Sequence, residues 1–171
     1  MSKIKVTLLL IAALIATPVL AEDKMAVVDI AAAIFGSDVA QKRQKELRAQ
    51  SEYASLQAKY DSTAADIKQL QKDAEGKSMT WSESDKEEFQ KKMEYLRADI
   101  ELTARKLESE VRSLQNRIVK ELQPVASEAI QELVTQEGIS VLLRADAVLM
   151  SKPELNLTAK LTERLNSKTK N

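Results

Sequence analysis

The sequence predicts an α+β chain that is mostly α: a long antiparallel coiled-coil hairpin projecting from a small body that holds the strands. Three observations carry this. Gly and Pro number only three each in 171 residues and aromatics make up 4%, too little for a loop-rich fold or a large globular core. Ala, Leu, Glu, Lys, Gln and Arg dominate, which is the composition of long helices. Two stretches flanking residue 80 then carry apolar residues at alternating steps of three and four, the a/d signature of paired helices.

The first element is a targeting segment. Lys3 and Lys5 precede an apolar run over residues 6–16, which is too short to span a bilayer. Thr17-Pro18-Val19-Leu20-Ala21 interrupts the run and supplies a small residue for cleavage after Ala21. Residues 1–21 are therefore expected to be a signal peptide, with a retained membrane anchor as the alternative. Cleavage removes two lysines from a chain of 26 basic and 26 acidic residues, so the mature net charge becomes −2. That balance is not the footprint of a nucleic-acid binder. Cys and His are both absent, which excludes disulfides, thiol nucleophiles, Ser-His-Asp triads and ordinary zinc sites.

Met25-Ala26-Val27-Val28-Asp29-Ile30 reads as a buried strand, short and β-branched. Residues 31–35 permit a helix, and Gly36-Ser37-Asp38 breaks it while offering cap oxygens. A continuous helix is expected over 39–75, with Tyr53, Leu56, Tyr60, Thr63, Ile67, Leu70 and Ala74 on one seam. Residues 76–84 break it, and Ser84 with Glu87 fits a capping box for a second helix. That helix carries Phe89, Met93, Leu96, Ile100, Thr103, Leu107, Val111, Leu114, Ile118 and Leu122, with stutters at 107–111 and 118–122. Pro124 is expected to kink or break it, and Gly138 to stop it. Ile67 and Met93, Tyr60 and Ile100, and Tyr53 and Leu107 are each equidistant from residue 80. This mirror symmetry places the turn of the hairpin near 77–84, with arms of about 55–60 Å at 1.5 Å per residue. A compact bundle with the C-terminal part is the competing arrangement.

After Gly138, Ile139-Ser140-Val141-Leu142-Leu143 and Ala147-Val148-Leu149-Met150 read as strands joined by a turn at 144–146. Asn156 is the expected N-cap of an amphipathic helix over 157–165, with 167–171 frayed. Residues 22–38 and 123–171 thus form the body, and 39–122 the arm. Three short strands leave open edges on a body that is marginal alone, and assembly of several copies would close them. Met25, Val27, Ile139, Val141, Leu143, Val148 and Met150 are the expected core of that body, either within one chain or at an interface.

This order of elements resembles the Skp (OmpH-like) family of periplasmic chaperones over residues 24–167. The motifs are the signal peptide, Lys24-Met25-Ala26-Val27-Val28-Asp29, the helical hairpin, Gly138-Ile139-Ser140-Val141-Leu142-Leu143, Ala145-Asp146-Ala147-Val148-Leu149 and Asn156-Leu157-Thr158. The resemblance implies a homotrimer in which strands of three protomers build a small β-barrel and three hairpins project from it. It further implies an ATP-independent holdase that keeps unfolded outer-membrane proteins in the cavity between the arms until delivery. No cofactor and no metal are implied. Some members are strongly basic, and their charge is linked to lipopolysaccharide or client. Here residues 59–106 hold ten basic against eleven acidic side chains, which leaves lipopolysaccharide or membrane contact open.

Met79 and Trp81 at the tip, together with Met93, are the candidate client contacts, since Met is adaptable and Trp amphipathic. The alternative for Met79 and Trp81 is a plug that seals the hairpin, and for Met93 a place in the seam beside Phe89 and Leu96. Runs such as Asp85-Lys86-Glu87-Glu88 fit a solvated face with i, i+4 pairs. A structural envelope spacer or adaptor binding a folded partner is the competing function. An enzyme is disfavoured because no nucleophile or phosphate-loop motif accompanies the missing His and Cys.

Overall fold

The computed structural model describes residues 24–170. The targeting segment expected at 1–21 lies outside the described residues. The elements run β1 (Lys24–Val28), α1 (Ile30–Gly36), α2 (Asp38–Ala49), α3 (Ser51–Lys77), a 3-10 turn (Ser78–Thr80), α4 (Glu83–Glu137), β2 (Ile139–Arg144), 3-10 turns at Ala145–Ala147 and Pro153–Leu155, and α5 (Thr158–Lys168). The fold is mostly helical with one small sheet. β1 and β2 pair in parallel, from Met25 opposite Val141 to Val28 opposite Arg144. Parallel strands need a long crossover, and here the whole helical hairpin supplies it.

Caps set the helix boundaries. The Asp29 carboxylate accepts from the Ala32 N–H at 2.8 Å, and the Asp29 N–H donates to Thr158 Oγ1 at 2.9 Å. Ile30, expected to extend the strand, therefore begins α1 instead. Ser37 ends α1 and caps α2, its hydroxyl accepting from the Ala40 N–H at 3.3 Å. The helix expected to run unbroken over 39–75 is interrupted at Gln50, whose backbone is extended. No Gly or Pro marks this break. Leu47 is buried in the body, whereas Tyr53 lies three residues beyond Gln50 on the α3 seam, and one extended residue resets the helical phase between them.

The start of α4 also shifts. Its capping box is Ser82 with Asp85 rather than Ser84 with Glu87. The Ser82 hydroxyl accepts from the Asp85 N–H at 3.3 Å, and the Ser82 N–H donates to Asp85 Oδ2 at 2.8 Å. α4 then runs 55 residues with no break at Pro124. A mid-helix proline forfeits one hydrogen bond and costs about 3 kcal/mol. Leu122, Ala126 and Ala129 are buried around it, and that packing holds the helix together. Gly138 ends α4 at φ 62, the left-handed conformation that glycine adopts without a Cβ clash.

The main core is built by helices. Ala33 and Ile34 of α1, Ala40 and Leu47 of α2, Leu114, Ile118, Leu122, Ala126, Ala129 and Leu133 of α4, and Leu161 and Leu165 of α5 form one cluster, to which the sheet adds only Val28. A smaller cluster of Ala26, Ile139 and Leu157 lies under the sheet. α5 extends to Lys168 rather than fraying at 167, because Lys168 Nζ pairs with Glu132 at 2.7 Å and Glu128 at 3.0 Å on α4. Asn156 precedes the cap position, yet its side chain accepts from the Thr158 N–H at 2.9 Å.

The strand expected at 147–150 is absent. Ala145–Ala147 form a 3-10 turn, Val148 is extended but half-buried, and Leu149 and Met150 stand in solvent. The sheet holds only β1 and β2, and residues 147–150 pair with neither of them. Of the other residues expected in the body core, Val27 and Ile139 are buried, while Met25, Val141 and Leu143 are exposed in the single chain.

Glu137 ties the body together at the last turn of α4. Its carboxylate accepts from Lys160 Nζ at 2.5 Å and Lys24 Nζ at 3.0 Å, and Lys24 also donates to the Glu137 carbonyl at 3.0 Å. The hydrogen bonds from Lys160 and then Lys24 hold the carboxyl at about 2, below its usual 4.5. A depressed carboxyl pKa stabilises the fold above about pH 4.5, and that contribution fades as pH falls toward 2. Urea unfolding of Glu137→Gln should therefore lose stability less steeply over this window than the parent does. Identical slopes would show that the clamp is not formed. Leu161→Ala, which empties a fully buried site, should cost about 2–5 kcal/mol in the same measurement.

Candidate functional site

The arm is α3 laid antiparallel along the outer part of α4. The seam positions expected from the sequence all face inward. Tyr53, Leu56, Tyr60, Ile67, Leu70 and Ala74 are half-buried and Thr63 is buried on α3. On α4, Met93, Leu96 and Thr103 are buried, with Phe89, Ile100, Leu107 and Val111 half-buried. The register is also as expected. Lys59 Nζ lies 2.6 Å from Asp99 Oδ1, and Thr63 Oγ1 lies 3.4 Å from Asp99 Oδ2. Lys59 and Thr63 flank residue 61, the mirror position of Asp99 about residue 80.

This mid-arm layer is polar. Thr63 Oγ1 donates to the Lys59 carbonyl at 2.9 Å, and Thr103 Oγ1 to the Asp99 carbonyl at 2.9 Å. Hydrogen bonding to Asp99 holds the Lys59 ammonium above its usual range. Polar groups at seam positions specify register at a cost in stability. The continuous apolar core, which fills the body, ends at Tyr53 and Val111 where the arm begins. Beyond it, the buried seam residues are Thr63, Met93, Leu96 and Thr103. Since each buried aliphatic side chain contributes about 1.5–3 kcal/mol, the outer arm is held far less firmly than its root.

The surface of the arm carries i, i+3 and i, i+4 ion pairs: Glu83 with Lys86, Glu87 with Lys91, Glu101 with Arg105 and Glu108 with Arg112. Such exposed pairs add little stability and keep the rod solvated. At the tip, Met79 is 99% exposed. Trp81 is half-buried, its ring centroid 5.0 Å from that of Phe89 and tilted by 47°. The candidates therefore divide: Met79 is free, Trp81 packs on the start of α4, and Met93 lies inside the seam. The sequence reading missed Tyr95 and Leu102, 70% and 45% exposed and one heptad apart on α4. Large apolar residues spaced by seven outside the a/d set were the available signal. Among the described residues no cluster of His, Cys, Asp or Glu has a geometry for a metal ion, and no helix is long and apolar enough to cross a membrane.

A long, weakly packed hairpin rooted in a helical body with a parallel two-stranded sheet defines a class of arm-bearing proteins. The chain belongs to the OmpH-like outer membrane protein family, whose model matches residues 24–165. It is 25% identical over 167 residues to a Skp-like protein of Pseudomonas aeruginosa, covering 97% of this chain and 98% of that one. It also resembles the crystal structure of a candidate outer membrane chaperone, OmpH-like, from Caulobacter crescentus. That match has 17% identity and a TM-score of 0.49 over 86% of each chain.

Backbone amide exchange reads the gradient in packing directly. Amides over 60–74 and 89–103 should exchange faster than those over 114–133, because a segment opens more readily where it buries less apolar surface. Uniform protection along α4 would contradict the division into loose arm and firm root.

Proposed function

We propose that the chain is an ATP-independent periplasmic holdase for unfolded outer-membrane proteins. The observation that carries this is the arm: a long antiparallel hairpin with a threonine-bearing outer seam in a member of the OmpH-like family. An outer-membrane barrel outside its membrane exposes unpaired strands and apolar side chains, and both drive aggregation. Holding such a client requires many weak contacts and a wall that excludes other clients. A soft outer arm bends to clients of different size because little core resists it.

In this reading the protein is a homotrimer. The open edge of β2 and the exposed Met25, Val141, Leu143, Leu149 and Met150 support assembly, since they leave apolar surface and strand edge for other copies to cover. Strands of three chains close a small barrel, and three arms enclose the client cavity. Met79 and Trp81 contact the client near the tip, joined by the exposed Tyr95 and Leu102 along α4, while Met93 serves the seam. The leader-like segment at 1–21 supports export to the periplasm.

Light scattering tests the function. An outer-membrane β-barrel protein diluted from urea should stay clear when three or more chains of this protein are present per client. Unchanged turbidity would reject the holdase and favour a spacer that binds a folded partner. A Met79→Ser, Tyr95→Ser, Leu102→Ser variant should weaken client capture several-fold while sedimenting like the parent. Equal capture would remove the arm surface from the contact.

A further inference from the structure

We propose that the root of the arm is a seat for acidic stretches of an unfolded polypeptide, so that a held chain is sorted by charge along the arm. The inference rests on the holdase reading above and specifies where on the arm one class of client segment lies. The chain as a whole is balanced, with 26 basic and 26 acidic residues, but the hairpin is not. Residues 39–50 and 111–122, where the arm leaves the body, carry seven basic and two acidic side chains, a net of +5. Residues 51–110, the outer arm, carry ten basic and fourteen acidic ones, a net of −4.

Ion pairing sharpens the division. Both acids of the root are taken up by one cation: Arg43 lies 3.8 Å from Glu46 and 3.3 Å from Glu121. Arg112 pairs with Glu108 at 2.6 Å. Among the described residues, Lys42, Lys45, Arg48, Arg117 and Lys120 form no ion pair, and all five are exposed. Arg112, Arg117 and Lys120 share one face of α4 with the exposed Ser109, Ser113 and Asn116, and no carboxylate lines that strip. Arg117 also lines the cleft at the break between α2 and α3 together with Arg43, which carries the basic surface onto α2.

This pattern fits a polypeptide better than a flat anionic surface. An unfolded chain offers carboxylates and unpaired backbone groups, and the strip offers cations for the first and hydroxyl and amide groups for the second. Arg112 to Lys120 spans about 12 Å at 1.5 Å per residue, a length that about four extended residues cover. An anionic membrane laid along the arm meets the acids of the outer arm as well and is repelled by them. The cations are exposed and do not converge on one point, so each contact is weak and screened by salt, which suits a segment that is held and later released.

Fluorescence anisotropy of a labelled Ser/Thr/Tyr peptide tests this, with aspartates in one version and lysines at the same places in the other, titrated with the chain from residue 22. The aspartate peptide should bind more tightly than the lysine peptide at low salt, and weaken several-fold at about 0.15 M salt, where charges beyond about 8 Å are screened. A Lys45→Gln, Arg117→Gln, Lys120→Gln variant should bind the aspartate peptide several-fold more weakly. A Lys68→Gln, Lys72→Gln, Lys92→Gln variant, which takes the same charge from the outer arm, should bind it no more weakly than the parent. All six positions are exposed, so both variants should keep the parent's circular dichroism and sedimentation. Equal weakening in the two variants would overturn the seat by reducing it to net charge. Equal binding of the two peptides by the parent, a comparison that needs no variant, would overturn it too. So would binding to phosphatidylglycerol vesicles without binding of the aspartate peptide, a lipid surface then being the occupant. Client protection fails separately. Protection from turbidity without the aspartate preference rejects the seat alone, and the preference without protection rejects the holdase reading.

Discussion

The structure depends on the continuity of α4. One helix of 55 residues belongs to two environments: its later half fills the core of the body, and its earlier half stands out as one rail of the arm. Because it passes from one to the other without a joint, the direction in which the arm leaves is set by how Leu114, Ile118, Leu122, Ala126 and Ala129 pack against α1, α2 and α5. The interruption is placed in the other rail. There the single extended residue Gln50 separates α2, which packs in the body, from α3, which follows α4 outward. The break thus falls in the shorter rail, while the longer helix runs on past it from arm to body.

The chemistry of the seam changes along that length. Near the body the buried side chains are Leu and Ile, which pack densely and resist opening. Farther out Thr63 and Thr103 occupy buried positions, and Asp99 gathers Lys59 and Thr63 into a polar layer. A seam of this kind keeps two helices in register while offering little resistance to bending. Stability is concentrated where the shape must be kept, and withheld where contact with a variable partner is proposed.

Much of this was legible in the sequence because helical pairing is written in local spacing. The a/d positions, the mirror centre at residue 80 and the stop at Gly138 follow from periodicity and from one conformationally special glycine. What escaped had no local mark. Gln50 interrupts a helix although its neighbours favour one, because Leu47 is drawn into the body while Tyr53 starts the seam. Pro124 reads as a kink or a break, and the helix does not break there: the burial of Leu122, Ala126 and Ala129 outweighs one missing hydrogen bond. The capping box fell two residues early, at Ser82, since two Ser-x-x-acid motifs overlap there. Residues 147–150 have the composition of a strand but pair with neither strand of the sheet. Of the candidate contacts, Met79 lies free as the tip position implies, and Met93 is buried as its heptad position implies. Tyr95 and Leu102 were invisible to a reading confined to the seam.

The most direct test is a distance from tip to body. Dyes at Met79→Cys and Ser140→Cys, with labelled chains diluted among unlabelled ones, span the full length of α4. At 1.5 Å per residue, 55 helical residues separate the two sites by about 80 Å. Energy transfer corresponding to that separation is expected. A separation below about 50 Å would mean that α4 bends back on the body, and the projecting arm would be lost with it.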